Sequence, residues 1–120
     1  MTQKDKSIIH SPLINNCVRY MFDVLRRGSF DEMESVPWHT LMNRSVVYEC
    51  YKGWCVQHEE MAMPVTMLNF YLRKIFPLIR ISRIKDGDAR VYAYVFPPLA
   101  FAQQKFTEFV EESVTNGSKK

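Results

Sequence analysis

Glycine is scarce in this chain, with four in 120 residues. None belongs to a GxxxxGK[ST] stretch, so the sequence offers no backbone cradle for nucleotide phosphates. Long apolar runs are missing as well. No stretch approaches the roughly 20 residues needed to cross a bilayer. The opening MTQKDKSIIHSPL has no long apolar segment and no small-residue cleavage site, so neither a membrane partner nor a secretory signal is expected. The cysteines, Cys17, Cys50 and Cys55, are three in number and lie within apolar helical patterns. An odd count of this kind fits buried thiols in a reducing cytoplasm better than a disulfide framework. Cys55 and His58 have CxxH spacing, but no second pair completes four zinc ligands, so neither a metal nor another cofactor is expected. No Ser-His-Asp or Cys-His arrangement stands out, and no acidic cluster suits a catalytic metal site. The chain reads as a binding domain, not an enzyme. Repeats, low-complexity segments and linkers are also missing. One domain is expected over residues 11–112, with 1–10 and 113–120 as flexible ends.

What the sequence does have is unevenly distributed charge. The formal net charge is +3, from 16 basic and 13 acidic residues. Between positions 73 and 90 stand Arg73, Lys74, Arg80, Arg83, Lys85 and Arg90, opposed only by Asp86 and Asp88. The remainder carries 10 basic and 11 acidic residues. All the positive excess is therefore local, which suits a polyanionic partner more than the modest total suggests.

Apolar spacing predicts a first helix over SPLINNCVRYMFDVLRRG, with Ser11 as N-cap, Pro12 in the first turn and Gly28 at the C-terminus. Its buried stripe is Leu13, Cys17, Met21 and Val24, widened by Ile14, Val18 and Leu25. Arg26 and Arg27 suit the negative end of the helix dipole. SFDEMESVPWHTLMNR reads as a connection with a short helical turn after Pro37, held to the core by Trp38 and Leu41. A second helix follows over SVVYECYKGWCVQHEE, capped by Asn43 or Ser45, with Val47, Tyr51, Trp54, Cys55 and His58 on one face. Gly53 within it suggests a close helix crossing. A third helix begins near Thr66 as N-cap and stops before Pro77. Val65, Leu68, Leu72, Ile75 and Phe76 form its inner stripe. Its outer arc carries Thr66, Met67, Phe70, Arg73 and Lys74, with Asn69 at the border.

Alternation on both sides of Asp86-Gly87 then signals a β-hairpin. Ile79 and Ile81 alternate with Arg80 and Ser82; Val91, Ala93 and Val95 alternate with Arg90, Tyr92 and Tyr94. A final helix runs over PPLAFAQQKFTEFVEE, with Leu99, Ala102, Phe106 and Phe109 facing inward. The expected class is α+β: a winged helix, with a basic hairpin wing and additional N- and C-terminal helices. In such a module the third helix enters the major groove and the wing lies along the flanking backbone. Candidate DNA-contacting residues are Thr66, Met67, Asn69, Phe70, Arg73 and Lys74 on the helix. On the wing they are Arg80, Ser82, Arg83, Lys85 and Arg90. Arg, Asn and Thr suit base edges, an apolar group suits the thymine methyl, and Lys and Arg suit phosphates. A plainer account makes Arg73 and Lys74 mere solubilising charges at a helix end.

VVYECYKGWCVQHEEMAMPVTMLNFYLRKIFP resembles the C-terminal pattern of phage and plasmid primase–helicases. In that pattern an aromatic LYxxYxxWC helix precedes a turn, a recognition helix ending in FP, and a basic wing. The matching positions are Val47, Tyr48, Tyr51, Trp54, Cys55, Pro64, Val65, Leu68, Leu72, Ile75, Phe76 and Pro77. The likeness spans roughly residues 35–100 and extends to the origin-binding domain of satellite-phage alpha-type replication proteins. The family usually has Phe-Gly-Arg where this chain has Leu68-Asn69-Phe70, so no arginine base contact carries over there. The resemblance implies binding to double-stranded DNA at replication-origin repeats, in a bacterial host cytoplasm. Two other uses remain open: a transcription regulator of the same fold, or a protein interface built on Met67, Phe70 and the tyrosines. A homodimer or other self-association belongs with the latter.

Overall fold

The computed structural model describes residues 15–118. Ser11, Pro12, Leu13 and Ile14 lie outside the described residues, as does the expected flexible segment 1–10. Helix α1 spans Asn16–Arg27, and its N-cap is Asn15, whose side chain accepts from the Cys17 and Val18 amides. Asn15 is itself extended (φ −110°, ψ −168°), so the helix carrying the apolar stripe starts four residues after the expected first turn at Pro12. Gly28 closes it as expected. Its φ of 78° is left-handed, and its N–H donates to the Val24 carbonyl, the arrangement that favours glycine after a helix.

Residues 29–40 contain no helical turn. Asp31 organises this segment by accepting from the hydroxyls of Ser29 and Ser35 and from the Val36 amide. Burial raises its carboxyl pKa, but those hydrogen bonds outweigh burial and leave it below the ordinary value. A short strand follows, β1 (Leu41–Asn43), which runs directly into helix α2 (Arg44–Gln57). Met42 is the buried residue of β1 and Leu41 is exposed, so Leu41 does not anchor the connection. Trp38 does: its ring stacks on Phe30 at 5.2 Å and meets Phe96 at 4.7 Å.

Asn43 caps α2, accepting from the Ser45 and Val46 amides. Val47, Tyr51, Trp54 and Cys55 are buried as the spacing requires, whereas His58 is exposed and stacks on the outside of Trp54. Gly53 makes no close crossing, for no atom lies within 4 Å of where its Cβ would stand. Helix α3 (Val65–Ile75) begins two residues earlier than a Thr66 cap would allow. Pro64 is the N-cap, and its carbonyl accepts from the Met67 and Leu68 amides. A proline lacks only an N–H that this position would leave unpaired anyway.

Strands β2 (Arg80–Asp86) and β3 (Ala89–Val95) form the hairpin, and helix α4 (Leu99–Ser118) follows. Gly87 supplies the positive φ (64°) that the tight turn demands. Helix α4 continues through residues 113–118, the segment read from sequence as a tail. The sheet order is β1-β3-β2, antiparallel throughout. The described residues thus form an α+β unit of four helices and one three-stranded sheet, an order consistent with a winged-helix-like layout. Tyr20, Tyr51, Tyr94, Phe30 and Phe76 are among its fully buried side chains. Their hydroxyls are paired where they are phenols. Tyr20 donates to the Phe30 carbonyl, and Tyr51 donates to Asn16 Oδ1 while accepting the Met63 N–H. Among the described residues no helix is long and apolar enough to cross a membrane, and no cluster of metal-ligating side chains occurs.

Candidate nucleic-acid interface

Strand register decides which hairpin residues share a face. Directly opposed residues in an antiparallel pair point to the same side. Ile81 opposes Tyr94, Arg83 opposes Tyr92, and Lys85 opposes Arg90. That face is apolar at its base, where Ile81, Tyr94 and Met42 of β1 meet the helices, and basic towards its tip. The opposite face carries Arg80 with Val95, Ser82 with Ala93, and Ile84 with Val91. Two corrections follow. Alternation within each strand groups Ile81 with the apolar residues and Tyr94 with Arg90 and Tyr92, but the register puts Ile81 and Tyr94 on one face and Val91, Ala93 and Val95 on the other. The five candidate wing residues also divide: Arg83, Lys85 and Arg90 stand on one face, Arg80 and Ser82 on the other.

The basic face is joined to α3 through Asn69. Asn69 is only 9% exposed, and its Oδ1 accepts the Tyr94 hydroxyl proton. It is therefore a tie between helix and hairpin, not a side chain free to read a base. The apolar neighbours of α3 did not reveal this, because Tyr94 appeared in sequence among the outward residues of β3. Burial pushes the Tyr94 phenol pKa up, while the Arg44 and Arg73 guanidiniums pull against that shift.

At 100° per residue, Arg73 and Thr66 lie nearest to Asn69 on the outer side of α3. Phe70 follows, then Lys74 and Met67. All five are exposed. Phe70, 46% exposed, has the Lys74 ammonium 5.2 Å from its ring centroid. On the hairpin, Tyr92 carries two cations: Arg44 at 4.5 Å and Arg83 at 5.6 Å from its ring centroid. Arg44 was not singled out from sequence. It occupies the first turn of α2, where the helix dipole disfavours a cation, and contact with Tyr92 offsets that cost.

Charge on this surface is left uncompensated. Among the described residues none of Arg44, Arg73, Lys74, Arg83, Lys85 and Arg90 makes an ion pair, although four other ion pairs form elsewhere. Asp86 opposes Ala89 on the far face and so does not neutralise the basic one. Lys85 and Arg90 face each other directly, an arrangement that costs stability in an isolated hairpin. Local choices that oppose stability without a compensating contact are expected where a partner supplies it. No family model matches the chain, and no curated protein is similar enough to count as a relative.

Proposed function

We propose that this chain is a winged-helix module that binds double-stranded DNA, with α3 in the major groove and the β2–β3 hairpin as wing. The observation that carries this reading is the strand register. It gathers Arg83, Lys85 and Arg90 on one carboxylate-free hairpin face, where Arg44 also lies, 4.5 Å from the Tyr92 ring centroid. Phosphates along a duplex would relieve the Lys85–Arg90 repulsion and exchange bound counterions for fixed cations. Thr66, Phe70, Arg73 and Lys74 would face bases and the adjoining backbone, with Phe70 and Met67 able to cover thymine methyls.

The likeness to phage and plasmid primase–helicases supports origin repeats in a bacterial host cytoplasm as the target. On that reading the chain binds and does not catalyse, and any primase or helicase chemistry would belong to other segments of such a replication protein. The test is duplex binding over a salt series, followed by footprinting on origin and promoter DNA. Steep salt dependence with protection of origin repeats is the expected result, and protection of promoter sites alone would favour a transcription regulator. Absence of salt-dependent binding would sink the reading. Exposure of Met67 (37%) and Phe70 favours one competitor, a protein interface on α3. It would appear as self-association that masks residues 66–74 while DNA leaves them unaffected.

A further inference from the structure

The hairpin face opposite the basic one ends in a groove. Arg80 and Val95 from the sheet, the Phe76–Ile79 turn, the Phe96–Pro98 segment and Phe101 with Lys105 of α4 line it. Its volume is about 310 Å3. Three prolines (Pro77, Pro97 and Pro98) stiffen its walls, so ordering them on contact costs little entropy. Leu78 is 83% exposed and Phe101 43% exposed, which is apolar surface that DNA phosphates cannot use. The charged side chains on the lining are Arg80 and Lys105, both cations. Arg80 makes no ion pair among the described residues, whereas Lys105 lies 3.5 Å from Glu108 and 5.4 Å from the Phe101 ring centroid.

We propose that this groove docks a protein partner through an apolar segment that carries carboxylates. Leu78 and Phe101 receive the apolar side chains, and Arg80 and Lys105 receive the acidic ones. The hairpin then has two functional faces. Arg80, read from sequence as part of a DNA-binding wing, serves the second. A second copy of this chain fits poorly as the occupant. One of its acidic–apolar stretches, Glu108–Glu112, has Phe109 and Val110 already packed against the core, and the exposed Glu32-Met33-Glu34 stretch, with a single apolar side chain, is tested by the dilution series below.

The proposal does not depend on DNA binding. The intact chain is titrated, with amide chemical shifts recorded, against a short synthetic peptide with a Leu-Phe-Leu centre flanked by glutamates. A lysine-flanked counterpart, a duplex DNA and a dilution series of the protein alone are the comparisons. The acidic peptide is expected to shift Leu78, Arg80, Phe101 and Lys105, and the lysine peptide is not. Arg80→Glu with Lys105→Gln should weaken the acidic peptide at least about tenfold by placing like charge or no charge opposite it. Leu78→Ser, at a position too exposed to endanger folding, should weaken it as well. Equal response to both peptides, no response, or shifts confined to Arg44, Arg73 and Arg83 would overturn the proposal. So would groove shifts produced by duplex DNA or by protein concentration alone.

Discussion

Asn69 and Arg73 stand one helical turn apart, yet their environments give them different tasks. Asn69 is buried on Tyr94, so its loss should be felt in folding before binding. Asn69→Ala leaves a buried phenol without its acceptor, which costs roughly 1–3 kcal/mol. In Tyr94→Phe the phenol itself is gone, and adding Asn69→Ala to it should cost less than Asn69→Ala alone. Denaturant unfolding of the four members of that cycle measures the coupling, and strict additivity would refute the helix–hairpin tie. Arg73 is exposed and unpaired among the described residues. Arg73→Ala should fold normally and lose roughly 1–3 kcal/mol on a preferred site if it makes a bidentate guanine contact. Random duplex should lose much less. Equal losses on specific and random DNA would reduce Arg73 to a backbone contact.

Among the elements, the hairpin permits the sharpest comparison because its register separates residues of identical chemistry. Arg83 and Lys85 lie on the basic face and Arg80 on the other. Removing Arg83 and Lys85 together should weaken all duplexes nearly equally and flatten the salt dependence by about 0.9 for each lost phosphate contact. Arg80→Ala should leave that slope unchanged. A similar loss from Arg80→Ala would mean that the wing does not use one face. The hairpin, its turn and the described parts of the α1, α2 and α3 stripes were legible in the sequence because their periodicity is local, His58 of the α2 stripe being the exposed exception. Its facing was not, since alternation within each strand does not fix the register between strands. Strand β1 was illegible for a similar reason: WHTLMN has no alternation, and its extended form comes from pairing with β3. The caps of α1 and α3 are Asn15 and Pro64 where Ser11 and Thr66 were expected, whereas at α2, where Asn43 and Ser45 competed, Asn43 is the cap. Arg44 escaped notice because its value depends on Tyr92, which lies far along the chain and close in space.

For the whole molecule, the placement of α3 depends on contacts well away from the basic surface. Arg19 of α1 holds Glu60 through two hydrogen bonds of 2.7 and 2.8 Å, fixing the turn that leads into α3. Asn16 adds a hydrogen bond to the Met61 carbonyl in the same turn. The Arg19 hydrogen bonds, with its charge, hold the Glu60 carboxyl below its ordinary pKa. A depressed carboxyl pKa contributes stability that is present above the unfolded value, about 4.3, and is lost as pH falls through the folded value. Glu60→Gln should therefore be less stable than the parent at neutral pH and converge with it in strong acid. A pair of this kind, with both side chains about 30% exposed, is worth up to about 1 kcal/mol, which is roughly 4 °C of Tm for a chain of this length. Thermal unfolding of both proteins from neutral pH to below pH 3 measures the difference directly. A constant gap across the series would show that the glutamate acts through packing and not through charge. If the gap closes, and any DNA binding at neutral pH falls with it, the Arg19–Glu60 pair is a remote support for the proposed DNA-facing role of α3.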